Sequence, residues 1–159
     1  MINFSKEMLE ALDNPETVKV LTTIDEKGVP HTTFKDSMTI LDEKYLAYME
    51  LTEFSNTSKN MLRSYWFKKM VTVGIFNAKQ GVAYQIKGEP FKFFMEGEVW
   101  DRFLEKVWSK MPDTDPTGVW LIVPREIINQ DFKVRRGEIA RTRPEFWRRF
   151  FGHEIGSFG

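Results

Sequence analysis

The sequence predicts a mainly β domain with inserted helices, six or seven antiparallel strands forming a small closed or partly closed barrel. Short runs of β-branched and aromatic residues follow one another in hairpin order, separated by turn-forming residues. Helical periodicity interrupts that series only after the third strand and after the fifth, which argues against the regular strand-helix alternation of a parallel sheet. The 23 aromatics among 159 residues suit a strand-rich core or a flat ligand.

The elements are expected in the following order. Met8, Leu9 and Leu12 make one apolar stripe of a short helix behind Asn3 or Ser5 as cap, and Asn14-Pro15 ends it. "VKVLTTI" (18–24) reads as a strand, and "DEKG" (25–28) as a tight turn in which Gly28 takes the left-handed position. "VPHTTFKDSMTI" (29–40) reads as one second strand. After a turn at "LDEK", "YLAYMEL" (45–51) has the apolar density of a strand covered on both faces. These three strands are expected to form a meander.

Met61, Leu62, Tyr65 and Trp66 then recur at the intervals that put side chains on one helical face. "MVTVGIF" (70–76) and "VAYQIKGEPFKFF" (82–94) read as strands joined by "NAKQG", with Gly88 and Pro90 suggesting a bulge or an edge. Val99, Phe103, Val107 and Met111 mark a further helix, stopped by Pro112. "VWLIVP" (119–124) is a strand, and "REIINQDF" (125–132) reads as the last, its start blurred by Pro124.

Length and composition fit one soluble domain over 1–159, with a basic C-terminal extension from about 133. The total charge is zero, yet residues 133–149 carry seven basic side chains against Glu138 and Glu145, a local +5 that the rest of the chain offsets. Such a segment more often makes a solvated face or pairs with acidic surface than binds nucleic acid, so a nucleic-acid partner is not expected. Zero cysteines exclude a disulfide scaffold, thiol catalysis and thiolate metal sites. The start "MINFSKEMLEALDNP" lacks a secretory pattern and no run of 18 apolar residues is present, so a cytoplasmic protein without membrane association is expected.

Little in the sequence points to side-chain catalysis, and no catalytic residue is assigned. His31 stands in a strand, and His153 lies in "GHEIG", which lacks the second histidine of a zinc-protease helix. "PDTDPTG", with Asp113 and Asp115, lacks the rest of a calcium loop and reads as a turn; no metal site is expected. "NTSKNML" (56–62) stands out. The first turn of a helix leaves N–H groups without partners at the positive end of the helix dipole, so Thr57, Ser58 and Lys59 could seat an anion. On local chemistry the plainer alternative, that Asn56, Thr57 or Ser58 merely caps the helix, is favoured.

The ordered set "VLTTIDEKGVPHTTF", "YLAYMEL", "TSKNML", "VTVGIF", "AYQIKGEP" and "VWLIVPREI" resembles the split-barrel flavin proteins related to pyridoxamine 5'-phosphate oxidase, over roughly residues 7–132. The resemblance implies a six- to seven-stranded antiparallel split β-barrel, FMN as cofactor, and a homodimer with the cofactor site at the subunit interface. Matched to the family's hydroxyl-x-Lys group, Thr57, Ser58 and Lys59 would hold the FMN phosphate, which reverses the local preference. Thr32, Thr33, Phe34 and Lys35 match the strand that borders the isoalloxazine ring. Met49, Glu50 and Leu51 match the segment that passes the ribityl and phosphate, and Gly81, Ala83 and Gln85 a strand of the same pocket. Trp66, Trp120 and Trp147 are candidates for its open face, though core positions are the commoner role for tryptophan.

Two departures narrow the expectation. Ser58 stands where many oxidases of the family have Arg, and "EFWRRFFGHEIGSFG" lacks the family's C-terminal substrate-binding pattern, so pyridoxamine phosphate oxidation itself is not expected. The implied function is FMN-dependent oxidoreductase or reductase chemistry with a small-molecule electron donor and acceptor. The alternatives are the same barrel binding deazaflavin F420 or haem, or a non-enzymatic module that meets an anionic partner through the basic C-terminal segment.

Overall fold

A computed structural model describes residues 2–142 and residue 145. Its elements run α1 (Lys6–Asp13), β1 (Val18–Ile24), β2 (Pro30–Phe34), β3 (Thr39–Leu41), β4 (Tyr45–Glu50), α2 (Asn56–Phe67), β5 (Val71–Asn77), β6 (Val82–Phe94), α3 (Glu98–Lys110), β7 (Gly118–Asn129) and α4 (Phe132–Thr142). The seven strands form one antiparallel sheet in the order β2-β1-β5-β6-β7-β4-β3, and the sheet is not closed. Among the described residues, no helix is long and apolar enough to cross a membrane.

Residues 29–40 are two strands rather than one, and the expected three-strand meander is absent. β2 pairs with β1 and β3 with β4, at opposite edges of the sheet. Between them the Met38 N–H donates to the Lys35 carbonyl at 2.9 Å, a tight turn that no single strand contains. From Phe34 to Thr39 the chain can span at most about 18 Å, whereas seven flat strands set their outer members about 29 Å apart. The sheet therefore curls until its edges approach.

Two-sided burial follows from that curl. Leu46 and Tyr48 of β4, with Trp120 and Ile122 of β7, join the cluster that α1 and α2 cover through Met8, Leu12 and Met61. The alternate residues Ala47, Met49, Val119 and Leu121 join Phe103 and Val107 of α3 on the other face. This accounts for the unbroken apolar run read in 45–51.

α1 starts at Ser5, whose Oγ accepts from Met8 N–H at 3.3 Å, and ends at Asn14 as expected. Pro124 does not divide the last strand: β7 runs continuously, and its pairing with β4 ends at Ile122, so proline's missing N–H costs that ladder nothing. Gly88 and Pro90 likewise mark neither a bulge nor an edge, for β6 is the fourth strand of the seven. Pro90 lies beyond the last β5 pair, Val71 with Gly88. Gly88 is where β7 comes close, since a Cβ there would lie 2.6 Å from the Val123 carbonyl oxygen.

The chain divides into two compact units, one up to Ile128 and one from Asn129. In the second, Asp131 Oδ1 accepts from the N–H groups of Lys133 and Val134 at the start of α4, and Arg135 pairs with Glu138 at 2.7 Å. Lys133, Arg135, Arg136 and Arg141 belong to α4. Arg143, Trp147, Arg148, Arg149 and His153 lie outside the described residues.

Gly88→Ala is expected to destabilise the fold by about 1–3 kcal/mol, because backbone rather than a flexible side chain must yield. Urea unfolding measures this; an unchanged midpoint would mean that β7 does not pack against this position.

Candidate functional site

The seam where the two sheet edges approach is bound by polar groups. Lys19 Nζ donates to the carbonyls of Asp36 and Met38 at 3.2 and 3.0 Å, and Met49 N–H donates to Ser37 Oγ at 3.0 Å. Lys35 Nζ lies 3.2 Å from Glu50 Oε1, their side chains only 13% and 2% exposed. Tyr48 OH donates to Glu50 Oε2 at 3.4 Å, and the Lys35 ammonium stands 5.0 Å from the Tyr48 ring centroid. Burial, reinforced by the Glu50 charge, pushes the Tyr48 phenol well above its usual range. Burial, with Lys106 nearby, lowers the Lys19 ammonium.

Ser55, and not Asn56, Thr57 or Ser58, caps α2: its Oγ accepts from Ser58 N–H at 3.0 Å. The helix buries Thr57, Asn60, Met61 and Ser64, whereas Leu62 and Trp66 of the expected face are exposed, Trp66 by 70%. The polar stripe can turn inward because it finds partners there. Thr57 Oγ1 shares a 3.3 Å hydrogen bond with Thr33 Oγ1 of β2, and Asn60 Nδ2 donates to Thr23 Oγ1 of β1 at 3.0 Å.

Ser58 and Lys59 open instead onto a cavity of about 890 Å³, completed by Leu62 and Tyr65 of α2, residues 91–95, Trp120, and the loop residues Glu53, Phe54 and 115–117. Among the described residues, Lys59 has no acidic partner.

The residues expected to meet the ring divide between two faces. Strand pairing sets Phe34, Val20, Gly74 and Gln85 in one row, with Thr32, Thr22, Thr72 and Lys87 in the next alternate row. Val18, Phe76 and Ala83 form the row on the other side. Phe34 is 75% exposed, and Thr32 hydrogen-bonds Thr22 at 2.8 Å on this outer face. Thr33 and Lys35 alternate to the interior with Thr57, Glu50 and the buried Met49. Leu51 is half-buried just past β4, and Gly81 sits exposed in the β5-β6 turn at φ +67°, outside the paired rows.

Of the thirteen residues expected at a cofactor, only Ser58 and Lys59 line the cavity. Its aromatic wall from the end of β6 was missed as site-forming. The signal for it is the "PFKFF" run, which continues past the β5 partner strand. His31 lies in β2, and among the described residues no cluster of potential metal ligands occurs.

No family model matches the sequence, and no curated protein matches it. Solved structures do. HupZ of Group A Streptococcus superposes with a TM-score of 0.66 at 22% identity, covering 81% of this chain and 95% of that one. A predicted pyridoxamine 5'-phosphate oxidase from Lactobacillus delbrueckii gives 0.57 at 21%, covering 79% and 93%. An FMN-binding protein from Syntrophomonas wolfei gives 0.59 at 12%, covering 78% and 82%. The chain has the split-barrel fold of the pyridoxamine 5'-phosphate oxidase-like proteins.

Two outcomes test the seam. Lys35→Met strands a buried carboxylate and is expected to cost about 3 kcal/mol in urea unfolding, with Lys35→Met/Glu50→Gln recovering part of the loss. Because Tyr48 holds its proton more tightly folded than unfolded, its contribution is complete below the unfolded pKa near 10 and is lost as pH rises above it. Tyr48→Phe should therefore flatten the alkaline fall in stability, seen as a smaller drop in Tm between pH 9 and pH 11.

Proposed function

We propose that this chain binds FMN and serves as a flavin-dependent oxidoreductase, working as a homodimer whose subunits meet over the cofactor. One observation carries the reading: the hydrogen bond between Thr33 and Thr57 holds β2 directly against the first turn of α2. A strand suited to a flat ring and a helix start suited to a phosphate thus belong to one rigid neighbourhood.

The fit is good at both ends. Lys59 supplies an uncompensated cation at the cavity mouth, Ser58 a hydroxyl, and the helix start its N–H groups. The Thr57 hydroxyl is engaged with Thr33, so its part is to fix the helix start rather than to grip the phosphate. On the outer face, Thr32, Phe34, Ala83 and Gln85 offer a flat surface for the ring. Exposed Phe34, Phe76 and Val18 make this an apolar patch suited to a second copy of the chain. FMN, when bound, supplies hydride or electron transfer to and from small molecules, which requires no side-chain nucleophile.

The purified full chain is expected to show a flavin absorption band or to gain one with added FMN. A Soret band, a deazaflavin spectrum, or a colourless protein that refuses FMN would each overturn the reading. Lys59→Ala should weaken FMN binding about tenfold or more, the loss of a charge-assisted contact, with no change in the Tm of the cofactor-free protein. Light scattering should give a dimer, and Phe34→Asp a monomer that retains FMN poorly; equal retention by a monomer would contradict the shared site.

A further inference from the structure

We propose that the cavity between α2 and the end of β6 is a second ligand site, separate from the one for the flavin ring, which takes an uncharged, planar aromatic molecule carrying a hydrogen-bond-accepting oxygen. Size comes first: about 890 Å³ falls within the range of small-molecule pockets.

The walls select a flat, apolar body. Phe93 and Trp120 stand 4.8 Å apart between centroids at 40°, and Tyr65 lies 6.3 Å from Trp120 at 52°. The arrangement is built in, since a Cβ on Gly118 would collide with the Phe93 ring. Only glycine at the start of β7 lets Phe93 lie flat there.

Charge selects further. Lys59 and Lys92 line the cavity along with Glu53 and Asp115, so cations and carboxylates balance and a net charge on the ligand gains nothing.

The need for an acceptor comes from Trp120. This residue lines the cavity and is only 4% exposed, yet its indole N–H has no hydrogen-bond partner among the described residues. A buried donor without a partner is uncommon and destabilising, and a ligand oxygen would satisfy it. The other buried side-chain donor without a partner, Nε of Arg63, belongs to a residue outside the cavity lining.

Calorimetry with 2-acetylnaphthalene and 2-isopropenylnaphthalene tests this on the full chain, because the two probes share a shape and only the first has an acceptor. The ketone is expected to bind about tenfold more tightly to the unsubstituted protein, and Trp120→Phe should bring the two probes level. Leu62→Trp, at an exposed position of the lining, should block both probes and leave the Tm unchanged.

Equal binding of the two probes to the unsubstituted protein, or a preference that survives Trp120→Phe, would overturn the proposal. So would probe binding abolished by saturating FMN, since the cavity would then belong to the cofactor. Lys59→Ala separates this from the flavin reading: unchanged FMN affinity in that variant would defeat the phosphate seat while leaving the probe results as they are.

Discussion

Residues 35–38 carry the chain from one edge of a seven-stranded sheet to the other, and so short a tether cannot cross a flat sheet. Curling is the only solution, and much of the architecture follows from it. It puts β4 and β7 between two apolar clusters, gives α2 a concave surface to cover, and leaves the β2-β1-β5-β6 outer face without a layer of its own.

A tether this short has backbone groups to satisfy where neither edge strand can pair with the other. Lys19 meets two of its carbonyls with one ammonium, and the Ser37 hydroxyl accepts from the neighbouring strand. The Lys35-Glu50 pair closes the same seam. Taking both charges out of water offsets much of their attraction, so the pair does more to fix where the edges meet than to deepen the fold's stability. It also holds Lys35 inward, away from the face that Phe34 presents.

Much of this architecture was readable in the sequence. β1, β5, β6, α1 and α3 announce themselves through periodicity and through Asn14-Pro15, Gly28 and Pro112, all of which act over a few residues. The split of 29–40 was not readable, because "VPHTTFKDSMTI" has strand composition throughout and only tertiary pairing shows that Thr33 and Ile40 lie at opposite edges. The site divides in the same way. Ser58 and Lys59 follow from helix-start chemistry, whereas the aromatic wall depends on how far β6 outruns β5, a matter of partner length that β6's own residues do not encode.

The orientation of α2 shows how polar contacts decide a site. Hydrophobicity alone would turn Met61, Leu62, Tyr65 and Trp66 inward, but the helix is rotated from that setting by about a third of a turn. Hydroxyls at Thr23 and Thr33 bond Asn60 and Thr57, each contributing about 1 kcal/mol net and more if left unmade. Burial of Leu62 and Trp66 would offer about 2 kcal/mol each, yet would strand those buried groups. The polar setting therefore wins, and it turns Ser58, Lys59 and Leu62 towards the cavity while Trp66 and Phe67 face outward. Two threonines on neighbouring strands thus determine where the helix presents its only first-turn cation.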